Sequence, residues 1–246
     1  MINALSIEHV SKSYVLEGAS RPVLKDVSFQ VRHNEIVAIV GASGCGKSTL
    51  LRLIVGLDDA YRGSIIRGGP DGSASAKVGM VFQDHRLYPW LTVESNIGLA
   101  FDNTNLSASA RRQRVRYYLE LVGLGDYARA YPRQLSGGMA QRAAIARALA
   151  QEPDILLMDE PFGALDSILR MRLQDELLSI WERNRVSIVI VTHDVEEALY
   201  LADRVLVMEP NPGRIRDVFE VGLPRPRDRG GFVLSDLKKR CLSTLV

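Results

Sequence analysis

The sequence predicts an α/β protein: a mostly parallel sheet core interrupted by a helical insertion, with an antiparallel flap on one side. Three observations carry that expectation. Short β-branched runs alternate with helical periodicity in the first third of the 246 residues and again from residue 155. Between Leu106 and Leu149 the periodicity is helical throughout. One run, Ile36–Val40, is apolar at every position, as expected of a strand buried on both faces.

Leu5–Val10, Val23–Val31 and Ile36–Val40 read as strands, separated by Gly18, Pro22 and the turn at His33–Glu35. A glycine-rich turn then opens a helix whose Leu50, Leu51, Leu53, Ile54 and Leu57 form one stripe, closed by Gly56 or the Asp58–Asp59 pair. In the middle of the chain Val115, Tyr118, Leu119 and Val122 share a helix face. Ser107 or Ser109 is placed to cap its start, and Gly123 or Gly125 to stop it. A second helix is expected over residues 137–150, with Ile145 and Leu149 on one side. Strand and helix then alternate: Ile155–Met158, a helix near Ser167–Asn184, Ser187–Thr192, a helix near Val195–Leu201, and Arg204–Met208. Past Glu209 the chain is rich in Pro, Gly and Arg, and regular packing is expected to loosen there. The expected organisation is one domain over 1–220, with a helical subdomain inserted at about 85–152, and a Pro/Arg-rich extension over 221–246.

Composition excludes several classes. A 46% hydrophobic fraction rules out a disordered chain. A membrane-spanning helix needs about 18 consecutive apolar residues. The longest uncharged stretch here is Ile36–Gly46, eleven residues with three glycines. The opening residues, MINALSIEHV, lack the basic and apolar regions of a secretion signal, so a cytoplasmic location is expected. A net charge of +2 suggests no nucleic-acid partner. Cys45 and Cys241 have neither metal nor redox spacing.

The chemistry is concentrated in a few motifs. Gly41-Ala-Ser43-Gly44-Cys45-Gly46-Lys47-Ser48, followed by Thr49, fits the phosphate-loop pattern G-x-x-x-x-G-K-[ST], with an apolar strand before it and an amphipathic helix after it. The glycines let several backbone N–H groups point at one anion, and the helix start adds its partial positive charge. Lys47 supplies a charge for β/γ-phosphates and Ser48 a hydroxyl for Mg²⁺. Ile155–Met158 ends in Asp159 and Glu160, at the carboxyl end of a buried strand, where ligands bind in such sheets. There Asp159 can hold Mg²⁺ and Glu160 can polarise an attacking water; the competing role is an acidic cap for the next helix. Leu135-Ser136-Gly137-Gly138-Met139-Ala-Gln141-Arg142 adds a second helix start suited to phosphate.

That last segment resembles the signature of the ATP-binding cassette (ABC) family, with Met139 where its usual glutamine stands. The resemblance implies a P-loop NTPase (RecA-like) core with an antiparallel β subdomain and a helical insertion. Further positions match in order. Gln83 resembles the Q-loop glutamine, able to reach Mg²⁺ and the attacking water. Gly163-Ala-Leu-Asp166 resembles the D-loop, His193 the switch histidine, and Tyr14 the aromatic residue that stacks on adenine. In the family, ATP is sandwiched between the phosphate loop of one copy and the signature of another, which implies a homodimer that closes on ATP.

Leu87, Tyr88, Pro89, Trp90 and Leu91 either fill the helical insertion's core or line a groove for a partner's short helix. In importers of the family that groove receives a transmembrane permease, so the contact is expected near Gln83–Phe101. The segments FQD-R-L-PW-TV-NI and NPGRI…LPRPRD resemble the nitrate/sulfonate/taurine importer group, with PRPRDR nearest to aliphatic-sulfonate importers. The resemblance implies an ATPase at the cytoplasmic face of the inner membrane. It would energise uptake of a small organic anion through a separate permease, supplied by an extracytoplasmic substrate-binding protein. An exporter subunit, or a soluble ABC-type ATPase such as one of Fe–S cluster assembly, are the alternatives.

Overall fold

The computed structural model describes residues 3–16, 18–69, 76–163, 165–184 and 186–245. The core is a six-stranded sheet of β3 (Ile36–Gly41), β5 (Val78–Val81), β6 (Ile155–Asp159), β7 (Ser187–Thr192), β8 (Arg204–Glu209) and β9 (Arg214–Glu220). Their order is β5-β6-β7-β3-β8-β9. All neighbours are parallel except β9, which runs antiparallel to β8. The central strands are apolar on both sides because both sides are covered. Ile36, Ala38 and Val40 face one core, while Val37 and Ile39 face the other.

The second core lies under α1 (Lys47–Val55) and a three-stranded antiparallel sheet, β2-β1-β4, formed by β1 (Asn3–Leu16), β2 (Ala19–Arg32) and β4 (Arg62–Arg67). This is the flap expected from the amino-terminal runs, with longer strands than the apolar pattern alone marks out. The first core packs the remaining helices: α2 (Val93–Gly98), α3 (Ala108–Leu121), α4 (Gly137–Leu149), α5 (Ser167–Asn184), α6 (Val195–Leu201) and α7 (Phe232–Leu245). Local chemistry sets their ends. Ser107 Oγ accepts the Ala110 N–H at the start of α3, and Gly56, left-handed at φ 83°, closes α1. Helices α2, α3 and α4 fall between β5 and β6.

The chain beyond Glu209 does not loosen. Residues 214–220 form β9, and α7 contributes Leu234, Leu237 and Cys241 to the larger core. Two of its arginines, Arg225 and Arg227, are turned inward. Arg227 is 7% exposed, and its guanidinium donates to the carbonyls of Leu199 (2.9 Å), Tyr200 (3.0 Å) and Ala202 (2.7 Å). Arg225 pairs with Asp203 at 2.7 Å and donates to the Leu201 carbonyl at 2.6 Å. A helix end leaves its last carbonyls without partners, and the planar fork of arginine can satisfy several at once. Among the described residues no helix is long and apolar enough to cross a membrane.

Candidate functional site

Four parallel strands, β5, β6, β7 and β3, deliver their carboxyl ends to one edge of the sheet. That edge is where a doubly wound sheet binds ligands. From β3 the chain enters the phosphate loop, where Gly44 and Gly46 take left-handed φ values of 81° and 99°. At Gly46 a side chain is excluded twice: by that φ, and because a Cβ would lie 2.6 Å from Leu24 Cδ2. The loop therefore presents backbone rather than side chains. Ser43 and Gly44 are exposed at its crest, whereas Cys45 is fully buried, so that its thiol does not face a ligand. Lys47, 5% exposed, donates to the carbonyls of Gly41 (2.8 Å) and Ala42 (3.0 Å). Its ammonium is thus held inside the loop's own curve. Thr49 is half-buried on the first turn of α1.

Beside it, Ser48 Oγ donates to Asp159 Oδ1 at 3.1 Å, joining the loop to the end of β6. Burial pushes the Asp159 carboxyl up; the Ser48 hydrogen bond opposes this, and the neighbouring Glu160 charge adds to it. An anion disfavoured by burial gains from a cation placed next to it. The hydroxyl of Ser48, the carboxylate of Asp159 and the amide of Gln83 are hard oxygen donors, suited to Mg²⁺. Among the described residues no group of three or more His, Cys, Asp or Glu forms a metal cage. Phosphates and water would therefore complete the shell of such an ion.

Glu160 is the convergence point. Its Oε2 lies 3.2 Å from His193 Nδ1 at the end of β7, and accepts from Gln83 Nε2 at 3.5 Å after β5. The residue has a φ of 44°, a conformation that costs a non-glycine residue energy and that clusters at functional sites. Its backbone N–H is anchored on the Val191 carbonyl at 2.8 Å. The carboxylate is mostly covered at 20% exposure, while the His193 ring is 58% exposed. A covered base flanked by an open imidazole and an amide is equipped to take a proton from a water and to sense what stands in front of it.

Three expected positions sit elsewhere. Ser136 caps α4, its Oγ accepting the Met139 N–H at 3.3 Å, and neighbouring Gly138 packs against Leu169 of α5. Among the described residues no hydrogen bond or ion pair joins Ser136 to the phosphate loop. Asp166 caps α5, accepting from the N–H groups of Ile168 (3.1 Å) and Leu169 (3.0 Å). Tyr14 is drawn toward the carboxyl end of α1, opposite the phosphate loop, where its hydroxyl donates to Asp58 at 3.2 Å. Lys12 stands 4.8 Å from the Tyr14 ring and pairs with the same Asp58 at 2.7 Å, which holds the Asp58 carboxyl below the usual range.

Sequence reasoning missed Lys12, although a lysine two residues from buried Val10 on the same strand face is a signal that a partner exists. It also missed a strap between the Gln83 loop and α4. His85 Nδ1 lies 2.6 Å from Gln141 Oε1, and Arg147 donates to the carbonyls of Arg86 (2.7 Å) and His85 (3.2 Å).

A family model described as "ABC transporter" matches residues 24–163. Among curated proteins, the aliphatic sulfonates import ATP-binding protein SsuB of Bacillus subtilis is 43% identical over 241 residues, 98% of this chain and 93% of its own length. SsuB 2 of Burkholderia lata is 53% identical over 224 residues, 90% of this chain and 80% of its own. Among solved structures, the dimer of MJ0796, a bacterial ABC transporter cassette, aligns with a TM-score of 0.77 at 31% identity, covering 89% of this chain and all of that one. A post-hydrolysis dimer of the same cassette, bound to ADP and Pi, aligns at 0.76.

Proposed function

The chain belongs to the ABC transporter family, and from that premise we propose that it is the ATP-hydrolysing subunit of an importer of aliphatic sulfonates. It would sit peripherally on the cytoplasmic face of the membrane and work through a separate permease. The observation that carries the hydrolytic half is the convergence of Lys47, Ser48, Asp159, Glu160, Gln83 and His193 at the ends of four adjacent strands. What supports the sulfonate half is identity of 43–53% to import ATP-binding proteins of that name over most of the chain. Neither the exporter nor the soluble alternative is favoured by those relatives.

The roles follow from the geometry. Backbone N–H groups of Gly44, Cys45 and Gly46 and the start of α1 would receive the phosphates, with Lys47 released from its own loop to pair with them. Mg²⁺, when bound, supplies charge neutralisation between the phosphates, and Ser48, Asp159 and Gln83 are the residues to hold it. Glu160 accepts the proton of the attacking water. His193 and Gln83 hold its carboxylate in place and face the γ-phosphate. Ser136, Gly137 and Gly138 would act in trans, closing over the nucleotide of a second copy. Asp166 stands close to that joint, and residues 83–101 would carry the permease contact. Tyr14, whose hydroxyl is held by Asp58, would offer its ring to adenine. A substrate-binding protein outside the cell would engage the permease, not this chain.

The test is ATP hydrolysis by the complex reconstituted with permease and binding protein, challenged with alkanesulfonates, taurine and nitrate. Stimulation by alkanesulfonates above the others is expected. Stimulation by none would count against the importer reading.

A further inference from the structure

The Arg-rich segment after β9 stays unexplained by ATP hydrolysis or by any permease contact, yet one of its arginines ends a chain of hydrogen bonds that leads to the catalytic edge. Arg229 Nη1 donates to Gln174 Oε1 of α5 at 2.6 Å. Its other nitrogen donates to Asp175 Oδ1 at 2.9 Å and to the Met171 carbonyl at 3.2 Å. The guanidinium lies 3.4 Å from the centre of the Tyr200 ring, whose hydroxyl donates to the same Asp175 at 2.6 Å. Arg229 is therefore fixed on three sides.

Its grip on Gln174 has a directional consequence. An amide side chain can turn over, exchanging its oxygen and nitrogen. With Arg229 donating to Oε1, Nε2 must face the other way, and there it donates to Glu197 Oε2 of α6 at 3.1 Å. The Glu197 backbone N–H donates to Asp194 Oδ1 at 3.2 Å, and Thr192 Oγ1 accepts the N–H of Asp194 at 3.0 Å. His193 lies between those two residues. Gln174, Glu197 and Thr192 are 2%, 4% and 3% exposed, so water offers no substitute partners. In such surroundings each bond polarises the next, and one misoriented member costs the whole chain. From the other side Arg170 holds Asp194 at 3.1 Å and the Leu165 carbonyl at 3.1 Å.

We propose that Arg229, Gln174 and Glu197 are positioning residues for ATP hydrolysis, a buried relay through which the carboxyl-terminal segment sets the loop that carries His193. This rests on the role given above to His193. Without Arg229 the Gln174 amide is free to turn its oxygen on Glu197, which unsettles the start of α6, whose Glu196 and Glu197 N–H groups hold Asp194. Among the described residues no hydrogen bond or ion pair joins Arg229, Gln174 or Glu197 to the phosphate loop, so nucleotide affinity should be unaffected.

The experiment measures ATP hydrolysis by the full chain carrying Arg229→Met, Gln174→Met, both together, Arg229→Lys, Arg225→Met or His193→Ala, with the Tm of each. Arg225 braces the same segment on α6 but lies outside the relay. Arg229→Met and Gln174→Met should each lower kcat about tenfold, the scale of one charge-assisted hydrogen bond, with KM for ATP unchanged. The double variant should be no worse than Gln174→Met, because the two act in series. Arg229→Lys, which retains a donor for Gln174, should recover part of kcat, and Arg225→Met should lower Tm while leaving kcat intact. The relay is overturned if Arg229→Met keeps parental kcat, if it changes KM instead, or if Arg225→Met loses kcat in proportion to its Tm. A fully active His193→Ala would instead remove the reading of His193 itself.

Discussion

At the scale of single residues, the site depends on carboxylates placed in unlike surroundings. Glu160 has an amide and an imidazole on the same oxygen. Glu160→Gln keeps that shape but removes the proton acceptor, so kcat should fall by about two to three orders of magnitude with ATP still bound. Retention of normal turnover would exclude Glu160 as the base. Glu197 makes a different prediction. Burial pushes its carboxyl up to about 7 from an ordinary 4.5; the nearby Asp194 charge adds to this, while the hydrogen bonds of Thr192 and Gln174 and the charge of Arg170 oppose it. The unfolded chain gives up that proton near 4.5 and the folded chain holds it to about 7. Between those values the unfolded state binds fewer protons, so stability falls as pH rises through the window and levels off above it. The loss amounts to about 3 kcal/mol at most. Glu197→Gln cannot titrate, so its stability in urea should fall less between pH 5 and pH 7.5 than the parent's. Parallel slopes would show that Glu197 ionises normally.

At the scale of elements, legibility tracked the strength of the local pattern. Helix α5 and strand β7 occupy the residues their periodicity marks out, Ser167–Asn184 and Ser187–Thr192. Strand β5, four residues with Gly79 among them, is legible only as the strand that the resemblance puts before Gln83, and α2 escaped notice because it is six residues long. The Pro/Gly/Arg-rich composition past Glu209 suggests loosened packing because nothing local reveals that α6 ends with carbonyls waiting for the donors of Arg225 and Arg227. In the same way, the strand-end residues of the site could be named from their runs, but the seat of Tyr14 depended on Asp58, far along the chain. Helix α4 allows structural and functional roles to be separated. Ser136→Ala removes a cap worth about 1 kcal/mol. If Ser136 does no more, hydrolysis measured well below the Tm should be near normal. If it also receives phosphate from another copy, hydrolysis should drop at least about tenfold, as when a charge-assisted hydrogen bond is lost.

At the scale of the whole molecule, the described contacts leave the chain with two incomplete halves. Lys47, Ser48, Asp159, Glu160, Gln83 and His193 form one set, while Ser136 caps α4, where Gly138 packs against Leu169 of α5. ATP that touches both sets only across a joint favours the joined state by its differential affinity, so ATP should drive association and hydrolysis should release it. Glu160→Gln with ATP should elute as a dimer in gel filtration and the parent with ADP as a monomer. A sharper test uses complementation. Lys47→Ala and Ser136→Ala chains should each hydrolyse ATP poorly alone. When they are mixed, a head-to-tail dimer pairs both defects in one site and leaves the other site with an intact phosphate loop facing an intact Ser136. Random mixing makes half of the dimers of that kind, each with one good site, so activity should rise toward about a quarter of the parental value. If phosphate loop and signature served the same nucleotide within one chain, every site in the mixture would carry one defect, and mixing would recover nothing.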